Sequence, residues 1–283
     1  MGSKADEVRA QVAADYTKAV KREGGCCSPL VPKGVIAKIA DYRAEELVRL
    51  PEDAVANAFG CGNPVAFAAV QAGQTVLDLG SGAGIDLLLA AKKVGPTGQV
   101  IGVDMTDAMV ARARANVAAA GLSHVEVRQG IIEALPVESA SVDWVISNCV
   151  INLSPEKARV FAEIARVLRA GGTLLVSDIV AQDLPEEVTA NRHLYVSCLA
   201  GAISEDDYLE GLRRAGLCAV EIVDKVVYDA HQVQALIGSE LNGEHGSGCC
   251  SGGTAAVADL SRRWAERLSG KIASIKVRAH KPR

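Results

Sequence analysis

The stretch Val76-Leu77-Asp78-Leu79-Gly80-Ser81-Gly82-Ala83-Gly84 decides the fold, because it closes an apolar strand and opens a helix. Glycines at such a junction let the chain turn sharply and let a ligand approach the backbone. The next strand ends in Gly102-Val103-Asp104-Met105, and an acidic side chain at that position can accept both hydroxyls of a ribose. The two features together predict a nucleotide site rather than a turn without a ligand.

Strand and helix patterns alternate along the chain from Gln74 onwards. Such alternation is typical of a parallel sheet covered by helices, so we predict an α/β fold with a Rossmann-like, mostly parallel sheet. The predicted strands cover residues 75–80, 100–105, 125–129, 142–147 and 173–179, and the predicted helices cover 84–94, 107–120 and 155–169.

Two later β-rich runs lack this short rhythm. Residues 219–228 and 272–279 predict an antiparallel hairpin at the edge of the sheet. The segments 183–204 and 230–270 are then interpreted as insertions, the second with a Gly/Ser-rich stretch.

The N-terminal part predicts helices. Residues 1–20 show the spacing of an amphipathic helix, and residues 43–58 suggest a second one. We therefore expect an N-terminal helical arm with a cysteine pair (1–60), a nucleotide-binding domain (61–182) and a C-terminal substrate-binding region with the final strands (183–283).

Composition excludes several classes of function. The chain has 283 residues, of which 49% are hydrophobic, so it can form a large core. The formal net charge of -4 gives no reason to expect a nucleic-acid partner, because phosphate binding needs a basic surface. No run suits a membrane span, and the polar N-terminus does not resemble a secretory signal. We expect a cytoplasmic protein without a membrane partner.

Cysteine content is the most informative part of the composition. Two of the eight cysteine positions form the adjacent pair Cys26-Cys27, and two more form Cys249-Cys250. Adjacent cysteines cannot be interpreted as ordinary structural disulfides. In a reducing compartment, free thiols indicate metal binding, redox work or catalysis.

The glycine spacing distinguishes between nucleotides. Asp78 followed by G-x-G-x-G resembles the first motif of class I methyltransferases that depend on S-adenosylmethionine (SAM), whereas an NAD dehydrogenase, the weaker alternative, has G-x-G-x-x-G. The resemblance implies that the loop accepts the amino-acid part of SAM and that Asp104 holds the ribose. It also implies that Met105 lies against the adenine and that residues 130–133 close the adenine pocket. The implied SAM-binding residues are Asp78, Gly80, Gly82, Gly84, Asp104, Met105, Ile132, Glu133 and Asn148, the last beside the methionine moiety.

The cysteines and their neighbours narrow the resemblance. Four stretches are similar to arsenite methyltransferases of the bacterial and archaeal type: Cys26-Cys27-Ser28, Gly60-Cys61-Gly62-Asn63-Pro64, Ser147-Asn148-Cys149-Val150-Ile151-Asn152-Leu153-Ser154 and Ser197-Cys198-Leu199-Ala200-Gly201-Ala202. This resemblance covers nearly the whole chain and is weakest over 230–270. It implies SAM-dependent methylation of arsenite or methylarsenite, and therefore arsenic detoxification.

Trivalent arsenic is a soft centre, and soft thiolates suit it. Cys61 and Cys198 are the predicted arsenic ligands. The third ligand stays open, because Ser274 stands where some relatives have cysteine, and Cys250 or its neighbour Cys249 could replace it. A zinc-like site of these two cysteines with His245 is a weaker interpretation.

The remaining cysteines are given other roles. The resemblance implies that Cys26 or Cys27 joins the site cysteines by a disulfide in a redox cycle, which a thiol reductant such as thioredoxin or glutathione would restore. Cys149 and Cys218 are interpreted as packing residues.

Two other functions stay open. One is a different small-molecule SAM methyltransferase, for example on a quinone or a sterol, whose activity would survive the loss of Cys61 and Cys198. The other is a non-enzymatic thiol protein that binds a soft metal; this alternative does not explain the glycine loop and Asp104.

Overall fold

The structure is a computed structural model and describes residues 3–21, 42, 50–57, 62–191, 195, 198–241 and 253–283. Several residues that the sequence singles out lie outside these ranges, namely Cys26, Cys27, Cys61, His245, Cys249 and Cys250. Their predicted roles stay predictions.

A single sheet contains all seven strands that the structure describes, in the order β3-β2-β1-β4-β5-β7-β6. The first five pair in parallel, which confirms the predicted mostly parallel α/β sheet. The strands are β1 (Thr75–Leu79), β2 (Gln99–Asp104), β3 (Val125–Gln129), β4 (Val142–Asn148), β5 (Leu168–Ala181), β6 (Cys218–Val227) and β7 (Ile272–His280).

The antiparallel edge differs in detail from a hairpin. β6 and β7 pair antiparallel as predicted, but β7 lies between β5 and β6. The connection between the two strands contains two helices, where the sequence predicted an insertion. β5 is also longer than predicted, because its pairing with β7 continues to Ala181.

Helices lie in the expected places between the strands. Of the helix predicted over 43–58, the structure describes Glu52–Ala56, and residues 43–49 lie outside the described ranges. The described helices are α1 (Lys4–Lys21), α2 (Glu52–Ala56), α3 (Pro64–Phe67), α4 (Ile85–Val94), α5 (Asp107–Ala119), α6 (Lys157–Val167), α7 (Glu186–Thr189), α8 (Glu205–Arg214), α9 (Ala230–Leu241) and α10 (Gly253–Leu268), with a 3₁₀ turn at Ile151–Leu153.

Both faces of the sheet are buried. On one face Leu77 packs in a cluster with Phe161 of α6, and on the other Val76 packs with Leu87 of α4. Side chains alternate between the faces of a strand, so covering both faces requires apolar residues at successive positions. This explains why the strands stand out as continuous apolar runs in the sequence.

A third apolar cluster joins the N- and C-terminal helices to residues that follow the strands. Val12 of α1 and Trp264 of α10 belong to it together with Cys149 and Cys198. These two cysteines, 49 positions apart in sequence, therefore share one buried region.

The predicted burial of Cys218 is wrong. Its side chain is exposed and its thiol is free. Cys218 begins β6, the last strand in the sheet that the structure describes. The same edge leaves Val226 and Val227 exposed.

No helix in the described part of the chain combines the length and the apolar character that crossing a bilayer would require.

Candidate cofactor and thiol site

A cleft opens beyond the ends of β1, β2 and β4, the edge at which ligands bind in open α/β sheets. It holds about 920 Å³ of empty space, part of which is open to solvent. The predicted SAM-binding residues that line it are Asp78, Gly80, Gly82, Asp104, Met105, Ile132, Glu133 and Asn148.

Gly84 is not among the residues that line the cleft. It precedes α4 with φ +96°, a conformation that glycine adopts without cost, and it faces Leu87 and Ala113. Its role in this structure is to start the helix and to let α4 and α5 approach each other.

The glycine loop is held against β2. The N–H groups of Gly80 and Ser81 donate to the Val103 carbonyl at 2.8 and 3.1 Å. Gly80 has φ +65°, and a Cβ at this position would overlap the side chain of Val150. A glycine is therefore required both for the turn and for the close approach of the next loop.

Asp104 is oriented by two main-chain donors. Its carboxylate accepts from Gly82 N at 3.0 Å and from Thr106 N at 2.8 Å. Burial raises its pKa, and these hydrogen bonds oppose the rise. A carboxylate can accept about four hydrogen bonds, so Asp104 retains acceptor sites for a ligand.

Three buried carboxylates meet beside the loop. Burial raises the pKa of Asp78 well above its usual range, and the nearby charges of Asp86 and Asp104 raise it further. Burial also raises the pKa of Asp86 to about 6, against hydrogen bonds from Asn148 and Tyr42. Asp86 was not identified from the sequence, although it follows the glycine loop by two residues.

This arrangement fits SAM. Within the described part of the chain, Asp78 Oδ2 and Ser81 Oγ are buried without a hydrogen-bond partner. An unpaired buried acceptor is unfavourable, and a ligand that donates to it relieves the cost. The ammonium and sulfonium charges of SAM also complement three carboxylates in one cleft.

Asn148 ties a preceding segment to the end of β4. Its side chain accepts from Gly62 N at 3.1 Å and donates to Gly62 O, to Tyr42 Oη at 3.0 Å and to Asp86 Oδ2 at 3.2 Å. The residue predicted beside the methionine moiety thus also fixes the backbone directly after Cys61.

Cys149 lines the cleft directly after β4. Its N–H donates to Ser177 O at 2.8 Å, and its φ is +56°. It is disulfide-bonded, whereas Cys198 and Cys218 form no disulfide. Cys149 is buried in the third apolar cluster, as its interpretation as a packing residue predicts, but that interpretation did not include a disulfide.

Cys198 contacts the main chain of Cys149. Its buried thiol donates to Cys149 O at 2.7 Å, and its φ is +66°. The predicted second thiol, Cys61, lies outside the described residues, so the structure brings Cys198 together with Cys149 instead.

The structure gives less information on the other positions predicted to bind arsenic or a metal. Ser274 is buried in β7, where it forms a hydrogen bond with Tyr228. Among the residues that the structure describes, no three His, Cys, Asp or Glu side chains are grouped so as to hold a metal ion. Cys26, Cys27 and Cys250 fall outside that part of the chain.

The N-terminal helix α1 covers the cleft. Arg9, Val12 and Tyr16 line it, and Arg9 Nε donates to Glu133 Oε1 at 3.2 Å. Ser154 Oγ donates to the same oxygen at 2.6 Å. The sequence shows an amphipathic helix here but gives no signal for the ion pair between Arg9 and Glu133, which are 124 positions apart.

Comparison with known proteins finds related methyltransferases. The methyltransferase domain family matches residues 71–216. The arsenite methyltransferase of Halobacterium salinarum is 48% identical over 207 residues, which are 73% of this chain and 52% of that protein. The arsenite methyltransferase of Aquipseudomonas alcaligenes is 40% identical over 174 residues, 59% of this chain and 50% of that protein. The chain thus spans about half the length of these curated relatives.

A solved structure extends the match to the tertiary level. It is that of an arsenic(III) S-adenosylmethionine methyltransferase from Chlamydomonas reinhardtii, with a TM-score of 0.68 and 33% sequence identity. The match covers 84% of this chain and 73% of that one. By sequence and by fold, the chain belongs to the arsenite methyltransferase family of SAM-dependent methyltransferases.

Proposed function

We propose that the protein transfers the methyl group of SAM to trivalent arsenic held by cysteine thiolates at the edge of the cleft. The observation that carries this proposal is the contact of the Cys198 thiol with the main chain of Cys149, which lines the cofactor cleft. Thiolates suit a soft arsenic centre. The family to which the chain belongs supports arsenite or methylarsenite as the substrate.

The cofactor residues take separate parts in this proposal. SAM supplies an electrophilic methyl group when it is bound. Asp104, already oriented by Gly82 and Thr106, would accept the ribose hydroxyls. The unpaired oxygen of Asp78 would accept from the ammonium of the methionine moiety. Met105 and Ile132 offer apolar surface to the adenine.

The proposed arsenic ligands are Cys198 and Cys149, with Cys61 still a predicted ligand and Cys250 a candidate third one. Each thiol replaces one hydroxyl of arsenite, with release of water, and the arsenic keeps its lone pair. The lone pair would attack the methyl group that bound SAM supplies, and the electron pair of the broken S–CH₃ bond would stay on the sulfur. No general base is required, so the contribution of the protein is mainly positioning.

A redox step follows, because the arsenic gives up its lone pair to the new bond. Sharing the lone pair with the methyl group makes the arsenic formally pentavalent, and two thiols that join as a disulfide return two electrons to it. The disulfide at Cys149 supports this step, because Cys149 must be reduced before it binds arsenic. We propose that a thiol reductant such as thioredoxin or glutathione reopens the disulfide, with Cys26 or Cys27 as relay.

The expected regions correspond to this division of work. In the proposal, residues 61–182 supply most of the cofactor contacts, α1 of the N-terminal arm covers the cleft, and residues 183–283 supply Cys198 from the substrate side.

The test is incubation of the reduced protein with SAM, arsenite and a thiol reductant, followed by speciation of the arsenic. Methylated arsenic should form only when all three are present. Binding of arsenite without consumption of SAM would instead indicate a thiol protein without this activity. Activity on a quinone or a sterol that survives Cys198→Ser would favour another SAM methyltransferase.

A further inference from the structure

Two short stretches of chain meet at the thiol pair. We call residues 149–154 the strand-end turn, and Tyr195 with residues 198–201 the thiol segment. The Cys198 thiol donates to Cys149 O at 2.7 Å, and Tyr195 Oη donates to Leu153 O at 3.4 Å. A Cβ at Gly201 would overlap the main-chain oxygen of Asn152. The thiol segment therefore docks on the main-chain oxygens of the strand-end turn.

A lysine holds the same oxygens from the other direction. Lys157 Nζ, near the start of α6, donates to Asn152 O at 3.2 Å and to Ser154 O at 3.0 Å. Carbonyls at the end of a 3₁₀ turn lack partners within the turn. The ammonium satisfies two of them and fixes the direction in which they point. Asn152 O thus accepts a hydrogen bond from Lys157 and also faces Gly201, at the place where a Cβ would lie.

The charge of Lys157 is not used in an ion pair. Among the described residues no carboxylate lies within ion-pair distance of it, and its ammonium donates to carbonyls only. Burial lowers the pKa of Lys157, and the nearby acidic groups Asp178, Cys198 and Glu133 oppose that fall. Burying a cation is costly unless it is paired or hydrogen-bonded, and the two carbonyls of the strand-end turn supply the hydrogen bonds of Lys157.

The side chain of Asn152 anchors the turn to the sheet. Its Nδ2 donates to Asp178 Oδ1 at 2.9 Å, and Tyr208 Oη of α8 donates to Asp178 Oδ2 at 3.3 Å. This anchor fixes the position of the turn, whereas Lys157 fixes its carbonyls. The two sets of contacts meet at Asn152 but use different atoms, so a substitution of Lys157 removes only the contacts to the carbonyls.

We infer that Lys157 is a positioning residue that sets the separation of the Cys149 and Cys198 thiols by holding the strand-end turn on which Cys198 docks. The inference rests on the proposed function, because that function gives the thiol pair a common ligand. Without Lys157 the carbonyls of Asn152 and Ser154 turn towards other donors, and the thiol segment loses its register. The two sulfur atoms then no longer suit one arsenic centre.

The experiment compares Lys157→Met with wild type, both fully reduced. Arsenite is the probe, and X-ray absorption at the arsenic edge counts its sulfur neighbours. The variant should lose at least one sulfur neighbour, and kcat/KM for arsenite should fall roughly hundredfold, the effect of about one ångström of misplacement. SAM affinity measured by calorimetry should fall much less than kcat/KM for arsenite, because Lys157 itself does not line the cofactor cleft, although part of the strand-end turn does.

Two further variants separate positioning from folding. Lys157→Arg keeps a cationic donor and should restore most of the sulfur coordination. Lys92→Met removes an exposed lysine of α4 and should behave as wild type. If Lys157→Met lowered the thermal midpoint but left the sulfur count and kcat/KM at wild-type values, Lys157 would be merely structural and the inference overturned. If wild type made no methylated arsenic while Lys157→Met still lost sulfur neighbours, the proposed function would fail and the inference would stand.

Discussion

Cys149 and Cys198 both adopt backbone angles that L residues rarely use, with φ of +56° and +66°. Such conformations cost about 1–3 kcal/mol each and persist only where the surroundings impose them. The hydrogen bond from Cys149 N to Ser177 O and the contact of Cys198 with Cys149 O impose them here. The strain thus falls on the two thiols that we propose as arsenic ligands.

At this scale the first prediction concerns Cys198→Ser. Serine offers a hard oxygen where a soft donor is needed, so methylation of arsenite and of trivalent methylarsenic should fall by at least about a hundredfold. SAM binding, measured by calorimetry, should persist. Cys218→Ser is the matched control, because that thiol is also free but is exposed on the edge strand. A Cys198→Ser enzyme with wild-type rates would remove Cys198 from the ligand set.

A second residue-scale prediction concerns Asp104→Ala. Hydrogen bonds to a charged group contribute about 1.5–3 kcal/mol, so SAM should bind roughly tenfold to hundredfold more weakly. Arsenite binding to the reduced protein should change little. Asp183→Asn, at an exposed position, serves as the control. Unchanged SAM affinity in the Asp104 variant would contradict the assigned ribose contact.

At the scale of elements, Asp178 joins β5 to α8 and to the strand-end turn. Its carboxylate accepts from Tyr208 Oη, Asn152 Nδ2 and Ile179 N, and it is fully buried. Burial raises the pKa of Asp178 from 3.8 to about 7, although these hydrogen bonds and Lys157 oppose the rise. The folded state therefore binds a proton that the unfolded state has released.

This gives a third prediction with a definite sign. Between the unfolded pKa of 3.8 and the folded pKa of about 7, the folded state holds more protons, so stability falls as the pH rises through that window. The free energy of unfolding should drop by up to about 3 kcal/mol between pH 5 and pH 7 on account of this group. Asp178→Asn keeps the hydrogen-bonding shape and should remove most of that slope in urea titrations. The control Asp183→Asn should leave the dependence of the free energy of unfolding on pH unchanged. If Asp178→Asn and wild type showed the same dependence, Asp178 would not have a raised pKa in the folded state.

At the scale of the whole molecule, ligands should stabilise the fold according to the redox state of the thiols. SAM at about a hundred times its Kd adds about 2.7 kcal/mol, which raises Tm by roughly 5–10 °C in a chain of this size. Arsenite should add a further rise only after a reductant has opened the disulfide at Cys149. Calorimetric scans with and without reductant test this, with Cys198→Ser as the control that should lose the arsenite effect. An equal arsenite shift without reductant would contradict a role for Cys149.

Much of the fold could be predicted because its signals are local. Strands buried on both faces must be apolar at successive positions, and the glycine turn after β1 has few sequence solutions. The parallel sheet, the places of the helices around it and the antiparallel edge pair follow from such patterns. The same holds for the positions of the glycine loop and Asp104, because each lies at the carboxyl end of a predicted strand, and parallel strands end at one edge of the sheet.

The tertiary structure alone decided the residue partners at the site. Sequence patterns report which face of an element is buried, but not which strand end meets which loop. Cys149 is buried as predicted, but its contact with Cys198 spans 49 positions and has no local signal in the sequence. Arg9 forms an ion pair with Glu133, which is 124 positions away in sequence. Cys218 is exposed because its strand, β6, lies at the edge of the sheet, outside β7. These features depend on the order and direction of strands in the sheet, which long-range packing sets and local periodicity does not encode.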